Sequence, residues 1–365
     1  MPTNQSASEG NDDQATWALA ALTAAEYGFP APSGTNWVDL AEAVFNDQVA
    51  RWDTSSCGGG LRWQIFSFNN GYDYKNSASN GFFFELAARL ARYTGNSTYS
   101  DWANTSFEWS TTIGLVDSTW NVYDGAYTTG NCSSIDKLQW SYVAGSFISG
   151  AAHLYNITSG TEQSNWKTAL DGLLTQTSKT FFPSGIATEV ACETNESCDT
   201  DQKAFKGILA QSLVSTIQVA PYTADTITPL FSTSAAAAAK TCSVTGCALN
   251  WSGGWSGSTG VGEQIDALSY IQGLLVNDAS APVKSSSGSG SSSSGGSSSS
   301  GGSTTTSSGG STTSGTGTTS GSASGTGTAS GTASKSAAPT GAGVNMRVGM
   351  SLLVSAVGVV AGLMM

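Results

Sequence analysis

Two consecutive carboxylates, Asp12 and Asp13, stand at the entry to a stretch of helical periodicity. Neighbours at such a loop-to-helix junction can present both carboxyls to one side. That arrangement suits the cleavage of a glycosidic bond. One carboxyl gives a proton to the leaving oxygen, and in the retaining form of the reaction the other attacks the anomeric carbon, the two carboxyls standing about 5–5.5 Å apart. Closeness divides the work, because like charges disfavour joint ionisation and leave one group of the pair protonated. The same two residues also fit a plain acidic first turn, favoured by the helix dipole.

The remaining acidic candidates are Asp53, Asp73, Asp124, Asp136, Asp199, Asp201 and Glu263. Asp124, in Val-Tyr-Asp-Gly-Ala, suits a sugar contact or a turn. Asp199-Thr200-Asp201-Gln202 precedes an apolar helical stretch and can serve as its cap. His153 is the only histidine, set among apolar residues in Ala-Ala-His-Leu-Tyr, which is a structural setting rather than that of a base. The cysteines show no CxxC or zinc-ligand spacing, so no metal site and no cofactor are expected.

Those residues must be positioned by helices. Periodicity predicts helices over 14–27, 37–51, 79–94, 99–113, 135–155, 162–179, 201–219 and 261–276. Between them run Gly-, Asn- and aromatic-rich segments, 57–75, 121–132 and 250–260, where a binding site would sit on a helical scaffold. Residues 61–68 could form a short strand; no strong strand alternation occurs elsewhere. The fold class expected is all-α, built of antiparallel helix pairs.

Composition narrows the ligand. The net charge is −12 over 365 residues, with only 14 Lys and Arg, so the basic stripe a nucleic acid would need is missing. Abundant Trp, Tyr, Asn and Gly suit a neutral polyhydroxylated ligand, whose C–H faces stack on rings and whose hydroxyls match amides. Six cysteines, Cys57, Cys132, Cys192, Cys198, Cys242 and Cys247, fit three disulfides in an oxidising compartment. Short loops suggest Cys192–Cys198 and Cys242–Cys247, leaving Cys57 with Cys132, although six cysteines allow fifteen pairings. Sequons at Asn4, Asn96, Asn104, Asn131, Asn156, Asn195 and Asn250 agree with a secretory route.

The sequence divides into a globular part, 1–278, a Ser/Gly/Thr-rich stalk, 279–335, and a segment 336–365 that ends in an apolar run from Val348 to Met365. The stalk cannot bury enough apolar surface to offset the entropy of ordering. Small residues, a short spacer and a terminal apolar tail make the pattern of a glycosylphosphatidylinositol (GPI) attachment signal, with a tail-anchoring helix as the alternative. The first residues carry no basic or apolar signal region.

Several segments then share one resemblance. Glu9-Gly10-Asn11-Asp12-Asp13-Gln14-Ala15-Thr16-Trp17, Arg51-Trp52-Asp53, Cys57-Gly58-Gly59-Gly60-Leu61-Arg62-Trp63-Gln64 and Tyr74-Lys75-Asn76-Ser77-Ala78-Ser79-Asn80-Gly81 are similar, in this order, to motifs of glycoside hydrolase family 76. Leu90-Ala91-Arg92-Tyr93-Thr94-Gly95-Asn96, Val122-Tyr123-Asp124-Gly125, Asp199-Thr200-Asp201-Gln202-Lys203-Ala204-Phe205-Lys206 and Trp251-Ser252-Gly253-Gly254-Trp255 continue the series. The pattern resembles the fungal GPI-anchored branch most.

The resemblance implies an (α/α)6 barrel, here short of the helices that family members carry before the Asp-Asp motif. It also implies a retaining endo-α-1,6-mannosidase or transglycosidase acting on α-1,6-mannan or a GPI glycan, with wall glucan as a possible acceptor. Asp12 then corresponds to the nucleophile and Asp13 to the general acid/base. Trp17, Trp63, Asn76, Asn80, Asp124, Asp201 and Trp255 become the expected substrate contacts. The expected location is the outer face of the plasma membrane or the wall, through a GPI lipid. A non-catalytic glycan-binding or structural wall protein is the competing expectation.

Overall fold

The computed structural model describes residues 8–253 and 259–285. Trp255, most of the stalk and the whole of 336–365 lie outside the described residues. Among the described residues no helix is long and apolar enough to cross a membrane.

Nine α-helices are described: α1 (Asn11–Glu26), α2 (Trp37–Ala50), α3 (Ser77–Thr94), α4 (Ser97–Thr112), α5 (Ser141–Ile157), α6 (Gly160–Phe181), α7 (Phe205–Val219), α8 (Ala224–Lys240) and α9 (Val261–Gly273). The odd-numbered helices pack each on the next, α1 on α3, α3 on α5, α5 on α7 and α7 on α9, as an inner layer. The even-numbered helices back them: α2 on α1, α4 on α3, α6 on α5 and α8 on α9. Burial follows this division. α3 is buried from Ser77 to Arg92 and α5 is buried through Leu154 on almost every face, as a helix enclosed by neighbours must be. By contrast α2 buries only Ala41, Val44, Phe45 and Gln48, a single stripe. The inner pair comes close because Gly150 faces Phe84, where a Cβ would lie 2.4 Å from the ring.

The all-α class expected from periodicity is the class observed, with local differences. The stretch predicted as one helix over 135–155 begins with a strand and turns helical only at Ser141. A small antiparallel sheet forms from β1 (Tyr74–Asn76), β2 (Gly125–Tyr127) and β3 (Ile135–Asp136), in that order. Residues 61–68 make no strand; Gln64 forms one isolated bridge with Gly10. Helix α8 was not predicted. The three disulfides join Cys57 to Cys132, Cys192 to Cys198 and Cys242 to Cys247. The last of these closes the hairpin of β4 (Cys242–Ser243) and β5 (Gly246–Cys247).

Two buried lysines fasten the loops to this frame. Lys75 on β1 donates to the carbonyls of Asp53, Ser56 and Gly59 at 2.8, 2.8 and 2.6 Å, and its ammonium lies 3.2 Å from the Asp53 carboxylate. Burial alone would raise Asp53, but hydrogen bonds from Ser55, Ser56 and Lys75 hold its carboxyl well below the usual range. Lys206 on α7 donates to the Leu249 carbonyl at 2.6 Å, pairs with Glu193 at 2.8 Å and lies 3.9 Å from the centre of the Trp251 ring. Glu193 in turn accepts the Glu189 N–H at 2.6 Å, and Glu189 accepts both the N–H and the hydroxyl of Ser141 at the start of α5.

Candidate active site

The start of α1 is stitched to the loop after Cys57. The Asn11 N–H donates to the Trp63 carbonyl at 2.8 Å, and the Ile65 N–H to the Glu9 carbonyl at 3.3 Å. The Asn11 side chain donates to the Arg62 carbonyl and accepts from Arg51, each at 2.8 Å, while Gln48 of α2 donates to the Asn11 carbonyl at 2.7 Å. One residue before the pair is therefore held from a loop and a neighbouring helix at once. Gly10 precedes it because a Cβ there would lie 2.2 Å from an Asp12 carboxylate oxygen.

The pair caps the helix and also lines a cleft. Asp13 accepts the Gly10 N–H at 2.8 Å, which caps the helix, and both carboxylates occupy its first turn. They also line a cleft of ≈ 850 Å³ with Trp17, Trp63, Gln64, Phe82, Tyr142, Asp201 and Phe205. Its wall follows one face of α1 from Asp12 to Tyr27, about 22 Å at the helical rise. At the far end Arg89 pairs with Glu26 at 2.6 Å and Glu85 at 3.3 Å.

Asp12 is the half-buried member and Asp13 the exposed one. Asn76 donates to Asp12 at 3.1 Å, and so does the Asp13 N–H. Burial first, and the neighbouring Asp13 second, push the Asp12 carboxyl up to about 7, against the lowering effect of Asn76. Asp12 is thus a fixed carboxyl that ionises only as the pH approaches neutrality, with a second, exposed carboxyl beside it.

The expected sugar contacts separate into three groups. Trp17, 61% exposed, and Trp63, 39% exposed, line the cleft, as does Asp201 at its rim. Asn76 acts on Asp12 instead: its amide nitrogen holds that carboxylate while its oxygen accepts the Ser79 N–H and caps α3. Asn80 and Asp124 do not line the cleft, which corrects their expected place there. Asn80 is fully buried, accepting the Leu61 N–H at 2.8 Å and donating to the carbonyls of Leu61 at 3.0 Å and Asn76 at 2.8 Å. Asp124 accepts from the Tyr74 hydroxyl at 2.6 Å and the Trp140 indole at 2.9 Å, and burial raises its carboxyl despite both bonds.

Replacing Asn80 with Ala should therefore destabilise the chain by roughly 2–3 kcal/mol, through the Leu61 loop it clamps, since it strands buried backbone groups. Urea unfolding of the two proteins measures this; a difference under about 0.5 kcal/mol would refute the clamp.

His153 is wholly buried on α5, its Nδ1 2.8 Å from the Ser149 carbonyl. Burial, then Arg89, holds its imidazole well below the usual value, so it is neutral. Among the described residues no group of three or more His, Cys, Asp or Glu could hold a metal ion. Sequence reasoning missed Phe82, Tyr142 and Phe205, because aromatics at helical spacing read as core.

Comparison with known proteins agrees with this geometry. The family model of glycosyl hydrolase family 76 matches residues 1–286. The mannan endo-1,6-α-mannosidase DCW1 of Saccharomyces cerevisiae is 47% identical over 297 residues, covering 79% of this chain and 65% of its own. The Candida albicans mannan endo-1,6-α-mannosidase DCW1 is 45% identical over 304 residues, covering 79% and 66%. The chain thus spans about two thirds of the length of these curated relatives. The crystal structure of Dfg5 from Chaetomium thermophilum in complex with glucosamine superposes with a TM-score of 0.73 at 41% identity, covering 78% of this chain and 72% of that one. An α-1,6-mannanase from a Salegentibacter species, 17% identical with a TM-score of 0.61 and covering 75% and 78%, shares the fold. The fold is of the (α/α)6 barrel class that the motifs implied.

Proposed function

Since the chain belongs to glycosyl hydrolase family 76, we propose that its cleft breaks α-1,6-mannosidic links within a mannan or a GPI glycan, with retention, using Asp12 and Asp13. The observation that carries this reading is the pair itself: adjacent carboxyls lining one cleft, Asp12 held in place by Asn76 and the Asp13 N–H, Asp13 open to solvent. The names of the relatives support the link and the substrate. An open cleft running the length of α1 suits attack within a chain rather than at its end.

In the proposed sequence the Asp12 carboxylate attacks the anomeric carbon and forms a glycosyl ester as the C–O bond to the leaving sugar breaks. Asp13 gives that oxygen its proton. Asp13 then takes a proton from water or from a sugar hydroxyl, whose oxygen attacks the ester and frees Asp12. Hydrolysis and transfer to a wall glucan share the first half. Asn76 and the Asp13 N–H orient Asp12; Trp17 and Trp63 stack on sugar faces, and Trp255 is proposed to do the same. The globular part, 1–278, carries the activity. The stalk and the segment 336–365 are proposed to hold it at the outer membrane face or wall through a GPI lipid; the three disulfides support a secretory route.

The full chain should release oligosaccharides from unbranched α-1,6-mannan, and none from β-linked mannan. Its pH profile tests the assignment of roles. Attack requires ionised Asp12 and donation requires protonated Asp13, so kcat/KM should be bell-shaped, with its acid limb rising toward about 7 as Asp12 ionises. Asn76→Ala removes a bond that favours the ionised form and should shift this limb upward. An acid limb that does not move in Asn76→Ala would remove Asp12 from the nucleophile's role.

A further inference from the structure

One polar group in the cleft is not used by the two carboxyls. We propose that Tyr142 is a third catalytic residue, its phenol donating a hydrogen bond to a hydroxyl of the sugar seated against Asp12 and Asp13; this deepens, and rests on, the reading above.

Four observations carry it. Tyr142 lines the same cleft as the pair. Its ring is held by Phe205, 4.0 Å away between centroids, and by Phe82 at 5.7 Å, both also lining the cleft. The backbone beneath it is fixed, because Ser141, one residue earlier, is held at both its N–H and its hydroxyl by Glu189. Finally, its hydroxyl has no hydrogen-bond partner among the described residues, although a largely buried tyrosine normally finds one. A locked ring with an unspent hydroxyl, in a cleft shared with two carboxyls, marks the place of a ligand oxygen.

The surroundings set the direction of that bond. Burial and the negative charges of Asp12, Asp124, Glu189 and Asp13 hold the phenol protonated far above the usual value. It can therefore give a proton to a neutral hydroxyl oxygen and does not compete with the carboxyls as a base. Phe82 and Phe205 flank it with apolar faces, the surface a pyranose offers its C–H groups.

The test is Tyr142→Phe, which keeps the ring and removes only the oxygen. With α-1,6-mannan, kcat/KM should fall on the order of 30- to 100-fold, since a site built around a substrate hydroxyl suffers when the bond is lost. Binding of α-1,6-mannotriose, measured by calorimetry, should weaken by about tenfold or more. A set of monodeoxy mannosides identifies the sugar oxygen: one position should be penalised by the unsubstituted protein and not by Tyr142→Phe. Unchanged turnover and binding in Tyr142→Phe, with activity abolished in Asp12→Asn, would overturn the role of Tyr142 and leave the carboxylate reading intact. If the full chain turns over no mannan, the carboxylate reading fails, and the mannotriose affinities alone decide for or against Tyr142.

Discussion

Asp12→Asn and Asp13→Asn should each lower turnover of α-1,6-mannan by several orders of magnitude, the outcome for groups acting as nucleophile and acid/base in one reaction. The two losses should differ in kind. An aryl α-mannoside with a good leaving group needs little proton donation, so the glycosyl ester should still form in Asp13→Asn and azide should restore turnover. Asp12→Asn has no carboxylate to form the ester, and azide should give product of inverted configuration. Equal and unrestored losses would leave the roles unassigned to these positions, and unchanged turnover in both variants would remove the proposed chemistry.

Stability should move the other way. The Asp12 carboxyl is raised from 3.8 to about 7 in the folded chain, so the fold binds that proton more tightly than the unfolded chain does. Its contribution is complete below about 3.8 and is lost as pH rises through 7. A shift of that size corresponds to roughly 4 kcal/mol, and to ~2 kcal/mol once the partial exposure of Asp12 is allowed for. Asp12→Asn should therefore be more stable than the unsubstituted chain at pH 8 and no more stable at pH 4, as thermal melts at the two values would show.

The second large effect concerns Lys206. Removing its charge by Lys206→Met would leave Glu193, 3% exposed, without its partner at 2.8 Å, the Leu249 carbonyl without its donor, and Asp266 facing no cation. Breaking one side of a buried pair costs about 3–5 kcal/mol, comparable with the whole stability of many domains. The variant should melt far below the unsubstituted chain or fail to accumulate folded. Adding Glu193→Gln should recover part of the loss, because the stranded charge is then gone. A loss below about 1 kcal/mol in urea unfolding would show that Lys206 is not the fastening proposed for the loops around Glu193 and Leu249.

Seven of the nine described helices lie where the hydrophobic period placed them, within a few residues. α8 escaped because its first half reads Ala-Asp-Thr-Ile-Thr-Pro, a β-branched run with a proline at 229, and only the alanines at 235–239 favour a helix. α5 was predicted six residues too early because Ile135 and Leu138 continue the apolar pattern, although Ile135 and Asp136 pair as a strand with β2. Strands of two or three residues are too short to show alternation, so the sheet had no period to find.

The candidate site was legible where chemistry needs a rare juxtaposition, as at Asp12-Asp13. It was not legible where an ordinary residue takes a fold-dependent place. Asn80 and Asn76 are four residues apart in one motif, yet only Asn76 reaches a cleft carboxylate, because Asn80 points back to the Leu61 loop. Tyr142 differs from the core aromatics around it only by an oxygen whose surroundings no local pattern reveals.

Asn76 spans two helix beginnings: one end of its amide caps α3 and the other grips the first turn of α1. The reactive geometry is therefore a property of how two rods are registered, not of a loop. Anyone transplanting this dyad into a designed scaffold would have to carry across both helix starts and the short strand between them, since the aspartates alone would arrive without their alignment.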